Sequence, residues 1–188
     1  MTRKCYKGFK CYRYMRNNLI FPFKLTSKYV RVMPKKKQLP PMRNTTMIDE
    51  IIIHCSATKA GRPFDGEDIE RWHKARGFCQ CGYHFVVTLE GQIQGMRPTF
   101  YVGAHCEGHN KNSIGVCYIG GLDRVTGEPK DTRTEAQRES LEVLLKHLCR
   151  KYAIKRISGH REYAAKACPC FDAHKEYQHI ANDAVWLE

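Results

Sequence analysis

Apolar and polar positions after residue 46 alternate between strand-like and helix-like segments. Residues 51–53 are three consecutive isoleucines, a β-branched run typical of a strand that is buried on both faces. A polar stretch follows, and Asp65 then opens a predicted helix with Glu67 and Asp68 in its first turn. The first part of the pattern therefore predicts a buried strand followed by a capped helix.

The alternation continues through the second half of the chain. Residues 83–98 predict a hairpin with its turn at residues 89–91, and residues 113–121 predict another strand. Thr134 and Gln137 form a capping-box pattern before an amphipathic helix with a buried leucine stripe. A short strand ending at His160 and a closing helix over residues 173–187 follow. This order predicts one α/β domain with a central sheet.

Two of the predicted strands end in a histidine. His54 follows the isoleucine run, and His160 follows the apolar run of residues 154–158. Ligands often bind just beyond strand ends, where side chains are held rigidly but stay open to solvent. The two histidines could therefore share a site.

The formal net charge of +13 is concentrated at one end of the chain. Of the 32 Lys and Arg residues, 13 lie in residues 1–46, which contain no Asp or Glu. The other 19 basic residues match the 19 acidic residues of the remainder. The counts give no basic patch on the folded domain, so we expect nucleic-acid binding only if residues 1–46 provide it.

Residues 1–46 are predicted to be a basic, disordered extension, and residues 47–188 the folded domain. The extension has no apolar core of signal-peptide or membrane-span length, so we expect synthesis in the cytoplasm and no membrane span. Two interpretations stay open. In the first, the start codon is assigned too far upstream, and Met42 or Met47 is the true start. In the second, the extension is an arm that touches an anionic polymer or membrane.

The ten cysteines show no disulfide framework, so reduced thiols are expected. A catalytic zinc needs three protein ligands and a fourth position for water or substrate. His54, His160 and Cys168 would supply that number, since the step from His160 to Cys168 allows a loop to fold back. Nine histidines and ten cysteines offer many other combinations, and spacing alone does not choose among them.

Residues 49–172 resemble the type 2 N-acetylmuramoyl-L-alanine amidases, a family that includes phage amidases and animal peptidoglycan recognition proteins. Five separated segments carry the resemblance, in the family's order: IIIHCSAT, IERWHKARGF, CGYHFVVTLEGQI, VGAHCEGHNKNSIGVCYIGG and GHREYAAKACPCFD. The resemblance implies a central mixed sheet flanked by helices, and one Zn²⁺ held by His54, His160 and Cys168. It also implies catalytic roles for Tyr83 and Lys166, and peptidoglycan or its muropeptides as the substrate.

Several residues around this predicted site have less defined roles. His105 and His109 are expected on a loop that lines the substrate groove, and Asn112 is expected to help shape the groove wall. The alternative for His105 is direct contact with the metal or with the reacting part of the substrate. Cys170 departs from the small residue usual at its position in the family. It adds a second thiol near the metal, so preferring Cys168 rests on the resemblance.

The resemblance implies hydrolysis of the amide between N-acetylmuramic acid and L-alanine by a phage- or prophage-type endolysin. Without a signal peptide, such an enzyme would reach the wall through a holin-type pore at lysis or act on wall fragments recycled inside the cell, and the phage-like motifs favour lysis. We expect a monomer. The alternative is a non-catalytic peptidoglycan-binding module of the same fold. Loss of the cysteine ligand is the family's usual sign of that role. The presence of Cys168, Tyr83 and Lys166 favours catalysis.

Overall fold

Seven strands and three α-helices form the part of the chain that the computed structural model describes, residues 39–184. The strands are Glu50–Cys55 (β1), Thr58–Lys59 (β2), Phe85–Val87 (β3), Ile93–Gly95 (β4), Ser113–Tyr118 (β5), Gly121–Leu122 (β6) and Arg156–Gly159 (β7). The helices are Gly66–Ala75 (α1), Glu135–Lys151 (α2) and Ala173–Ala184 (α3). Short 3-10 helices occupy Thr45–Met47 and His160–Glu162. The predicted extension over residues 1–46 lies mostly outside the described residues.

The central sheet is mixed, with β1 between two parallel neighbours. β1 pairs in parallel with β5 on one side and with β7 on the other. β3 pairs in parallel with β5, and β4 closes that edge antiparallel to β3, so the strand order is β4-β3-β5-β1-β7. β2 and β6 form a separate parallel pair. This arrangement confirms the predicted α/β class and the predicted hairpin.

Alternation along β1 sends its side chains into two different layers. Ile51 and Ile53 face the larger core, where they pack with the leucines of α2 and with Tyr177 of α3. Because successive strand residues point to opposite faces, Ile52 and His54 face the other side of the sheet. That side holds a smaller apolar cluster formed by Ile69, Cys81, Val86, Cys117 and Ile119. The face that carries His54 is therefore covered by α1 and loops, while α2 and α3 cover the opposite face.

Both predicted helix starts are confirmed by their caps. The Asp65 side chain accepts the Asp68 N–H at 3.0 Å at the start of α1. Thr134 and Gln137 form a reciprocal capping box at the start of α2, with Gln137 N–H donating to Thr134 Oγ1 at 3.1 Å. Within residues 39–184, no helix combines the length and apolar content needed to cross a membrane.

Arg43 ties the residues before β1 to two loops of the domain. Its Nε donates to the Thr99 carbonyl at 2.9 Å. Its Nη1 donates to the carbonyls of Asn110, Lys111 and Ser113 at 3.2, 3.1 and 2.7 Å. A single guanidinium, with five donors in a fixed fork, can satisfy several carbonyls at once. The domain boundary at residue 46 stays a prediction.

Candidate metal centre

His54 and His160 meet at one end of the sheet because their strands are parallel neighbours. His54 is the fifth residue of β1 and is fully buried, while the half-buried His160 begins the 3-10 helix directly after β7. Since β1 and β7 are parallel and in register, their carboxyl ends lie side by side. The two imidazole rings have centroids 4.7 Å apart. Strand pairing therefore accounts for the predicted meeting of the two histidines.

Cys168 reaches the histidines because the loop after His160 folds back. The Arg161 N–H donates to the Cys168 carbonyl at 2.6 Å, which closes this loop. The backbone N–H of Cys55 donates to Cys168 Sγ at 3.2 Å and fixes the thiol beside the end of β1. As a result, the possible ligand atoms of His54, His160 and Cys168 all lie within 4.8 Å of one another.

The three side chains fit a zinc ion in geometry and in chemistry. Cys168 Sγ lies 3.9 Å from His54 Nδ1, close to the roughly 3.6 Å that tetrahedral bonds of about 2.1 and 2.3 Å require. Burial first, and then the charges of His160 and Lys166, hold the pKa of His54 well below its usual value. Burial and Lys166 also lower the pKa of His160. Both imidazoles are therefore neutral near pH 7 and have a lone pair to donate.

Tyr83 lies beside this group, in the bend that precedes β3. Its ring centroid is 5.0 Å from that of His54. His73 of α1 helps to position it, because His73 Nδ1 accepts the Gly82 N–H at 2.7 Å and its ring lies 5.2 Å from the Tyr83 ring. Burial raises the pKa of Tyr83 well above its usual value, so the phenol keeps its proton. The structure thus places a protonated tyrosine beside His54.

Lys166 and Cys170 flank Cys168 in sequence but have different surroundings. Lys166 is exposed, and its charge contributes to the lowered pKa of both candidate histidine ligands. Cys170 Sγ donates to the Gly121 carbonyl at 3.1 Å and lies 3.8 Å from Cys55 Sγ. Burial raises the pKa of Cys170 to about 12. Cys170 is therefore a thiol packed against Cys55, outside the three-donor group.

The three residues predicted to bind substrate lie in different surroundings. His105 is buried, and its Nδ1 lies 3.1 Å from His54 Nε2. The His109 ring packs against the Tyr163 ring at a tilt of 33°, with centroids 3.9 Å apart. Asn112 Nδ2 donates to Asp49 Oδ1 at 2.6 Å, next to the end of β1 that is remote from His54. The structure brings His105 alone of these three into contact with His54, and their substrate-binding role stays a prediction.

The contact between His105 and His54 was not anticipated from the sequence. The available signal was weak: His105 precedes β5, and β5 pairs with the strand that carries His54. The loop before β5 could follow many paths over the sheet. Sequence spacing does not indicate that it packs over β1.

Comparisons with known proteins give one family and several relatives. The N-acetylmuramoyl-L-alanine amidase family matches residues 44–171. The endolysin of Escherichia phage T7 is 43% identical over 124 residues, which are 66% of this chain and 82% of that protein. The amidase LysC from Clostridium intestinale has a similar structure, with a TM-score of 0.62 and 26% identity over 80% of this chain and 97% of the other.

A second solved structure adds a ligand to the comparison. It is the ectodomain complex of the peptidoglycan recognition proteins LCa and LCx bound to tracheal cytotoxin. The TM-score is 0.60, with 26% identity over 76% of this chain and 87% of that chain. The shared architecture agrees with the mixed sheet and the helices described above.

Proposed function

Because the chain belongs to the N-acetylmuramoyl-L-alanine amidase family, we propose that it cuts peptidoglycan with a zinc ion held by His54, His160 and Cys168. The chain is a peptidoglycan amidase of the endolysin type, and the bond hydrolysed joins N-acetylmuramic acid to L-alanine. The metal and the roles of individual residues are the proposed part.

One observation carries the assignment of the metal: three donors of suitable type converge at one end of the sheet. Their ligand atoms lie within 4.8 Å of one another, and the two histidines lie at the carboxyl ends of neighbouring parallel strands. Zinc bound there would polarise the amide carbonyl and make the attacking water more acidic. Two neutral imidazoles and a thiolate leave an overall charge of +1, which suits that chemistry.

Tyr83 and Lys166 would act on the amide oxygen as negative charge develops on it. The Tyr83 hydroxyl keeps its proton because burial raises the pKa of this group, so it is a hydrogen-bond donor. Lys166 is exposed beside the histidines and would supply a positive charge and, secondarily, a proton. Donors held in place before the reaction stabilise a developing oxyanion more effectively than mobile water does. Tyr83 could also orient the attacking water.

The substrate is the muropeptide unit of the cell wall, consistent with the tracheal cytotoxin bound in the related recognition-protein complex. We propose that the chain acts as a monomer and reaches the wall through a holin-type lesion at lysis. Testing that route requires expression in a host with and without a co-expressed holin. Lysis that needs no holin would contradict it.

The activity is tested by mass spectrometry of purified peptidoglycan after digestion, together with zinc analysis of the purified protein. New muramoyl and L-alanine termini and about one zinc per chain are expected. Bound muropeptide without new termini would instead indicate a binding module. New termini from a fully zinc-free protein would refute the metal assignment.

A further inference from the structure

The two ring nitrogens of the candidate ligand His54 face different side chains. Nδ1 faces Cys168 Sγ at 3.9 Å, on the side of the proposed metal. Nε2 faces His105 Nδ1 at 3.1 Å, in a contact buried from solvent. The side chain that contacts the far nitrogen of a metal-binding histidine controls its tautomer and ring orientation.

A metal bound at His54 Nδ1 would fix which of the two histidines donates this hydrogen bond. If Nδ1 gives its lone pair to a metal, the neutral imidazole of His54 carries its proton on Nε2. His105 Nδ1, which lies 3.1 Å away in this buried contact, must then accept that proton with its lone pair. The proton of His105 is therefore on its own Nε2, which is buried without a hydrogen-bond partner among the described residues.

Two glycines make room for the His105 ring. A Cβ atom on Gly115 of β5 would lie 2.5 Å from both Cγ and Cδ2 of His105. A Cβ atom on Gly103 would lie 2.5 Å from His105 Cδ2 and 2.8 Å from its Nε2. Distances this short exclude a side chain at either position unless the ring moves. The imidazole therefore fits closely between two backbone segments.

The loop that carries His105 is also fixed. The Asn110 side chain accepts the backbone N–H groups of His105 and Cys106 at 2.8 and 3.0 Å. Arg43 donates to the Asn110 carbonyl from outside the loop. Backbone and ring are thus both restrained, as a group that orients its neighbour requires.

We propose that His105 is a positioning residue that accepts the His54 Nε2–H and thereby holds His54 Nδ1 toward the metal. This inference rests on the proposed function, because it assumes a metal at the three donors. It differs from the groove-lining role expected from the sequence. His105 is 9% exposed, and its Nδ1 is occupied by His54. His105 would act on the reaction only through His54.

Three variants separate the hydrogen bond from packing. His105→Leu keeps an apolar group of moderate size but removes the acceptor. His105→Asn keeps an acceptor, because Oδ1 falls close to the position of Nδ1. Gly115→Ala keeps the imidazole but forces the ring to move. His84→Asn is the matched control. His84 is a buried imidazole beside His105, and its ring nitrogens contact backbone groups and Arg43, not His54.

Zinc affinity is measured by competition with a chromogenic chelator, and thermal unfolding of the metal-free proteins checks folding. We expect His105→Leu and Gly115→Ala to bind zinc about 10- to 100-fold more weakly, the usual effect of losing such a partner. His105→Asn is expected to recover most of the affinity, and His84→Asn to stay within about threefold of wild type.

The outcomes distinguish this inference from the proposed function. A wild-type protein that binds no zinc would overturn the metal assignment and the inference with it. Wild-type zinc binding together with unchanged affinity in a folded His105→Leu protein would overturn the inference alone. Equal weakening in the leucine and asparagine variants would show that ring packing matters and the hydrogen bond does not.

Discussion

The backbone N–H of Cys55 donates a hydrogen bond to Cys168 Sγ at 3.2 Å. The end of β1 therefore provides the proposed ligand His54 and, one residue later, the donor that holds the proposed ligand Cys168. The neighbouring thiols of Cys55 and Cys170 contact each other instead, with their sulfur atoms 3.8 Å apart.

Replacing Cys168 is expected to abolish zinc binding and product formation together. Cys168→Ala removes one of three donors, while Cys170→Ala removes a thiol that contacts Cys55 and Gly121. Zinc content and product release from purified peptidoglycan are measured for both variants. Cys170→Ala should keep zinc and most of the activity. An active Cys168→Ala protein beside an inactive, zinc-free Cys170→Ala protein would reverse the ligand assignment.

Tyr83→Phe is expected to lower kcat on the order of a hundredfold while leaving zinc bound. The substitution removes the hydroxyl group and keeps the ring that packs near His54 and His73. Loss of one donor to a developing oxyanion typically has about this effect. Tyr101→Phe is the control, since Tyr101 lies outside the proposed site. Equal kcat values for wild type and Tyr83→Phe would rule out a catalytic hydroxyl.

Lys166→Met is expected to reduce kcat by a similar factor, on the order of a hundredfold. The variant removes the positive charge that acts on both candidate histidine ligands. Lys166→Arg keeps the charge and should retain more activity than the methionine variant. Lys155→Met, another exposed lysine, controls for general loss of charge. If the arginine and methionine variants were equally inactive, proton donation would outweigh electrostatic stabilisation.

A chain that starts at Met47 is expected to be less stable than one that starts at Met42. The shorter chain lacks Arg43 and with it the hydrogen bonds to four backbone carbonyls. Hydrogen bonds from charged donors are worth about 1.5–3 kcal/mol each when well formed. A loss of this order should lower Tm by at least about 3 °C for a domain of this size.

Thermal unfolding of the two shortened chains and of full-length Arg43→Ala provides the measurement. Arg43→Ala should resemble the chain that starts at Met47, because the same guanidinium is missing. Identical Tm values for all of these proteins would show that the Arg43 contacts contribute nothing to stability.

The metal-free protein is expected to lose stability between neutral pH and mild acid, in part because His84 is buried in its neutral form. Its Nδ1 accepts the Gly115 N–H at 2.9 Å, so its Nε2–H donates to the Tyr101 carbonyl at 3.1 Å in the neutral form. Burial lowers its pKa from 6.5 to about 3. The unfolded chain therefore takes up the proton first as the pH falls. The stabilisation is fully present above about pH 6.5 and is lost progressively toward pH 3, by at most about 1.4 kcal/mol per pH unit.

Urea unfolding of wild type and His84→Asn at several pH values between 7 and 4 measures this effect. Other buried histidines also contribute to the pH dependence, so the difference between the two proteins isolates His84. The variant should show the smaller loss of unfolding free energy on acidification. Parallel pH profiles would contradict the assignment of this proton uptake to His84.

Local patterns were enough to predict most of the fold. The β-branched run before His54 identified β1, and the capping residues Asp65 and Thr134 identified the starts of α1 and α2. These features depend on neighbours within a few residues, so the sequence carries them directly. The resemblance to a family then selected Cys168 among ten cysteines, which spacing alone did not.

The sequence by itself therefore determined most of the elements, the class of fold and, through its motifs, the family. Tertiary structure decided which groups meet. The parallel pairing of β1 with β7 joins His54 to His160 across more than a hundred residues of chain. The path of the backbone after His160 directs Cys168 toward His54 and Cys170 toward Cys55. The contact of His105 with His54 likewise depends on loop packing against two glycines of different segments. Such contacts arise from long-range packing, which no local pattern encodes.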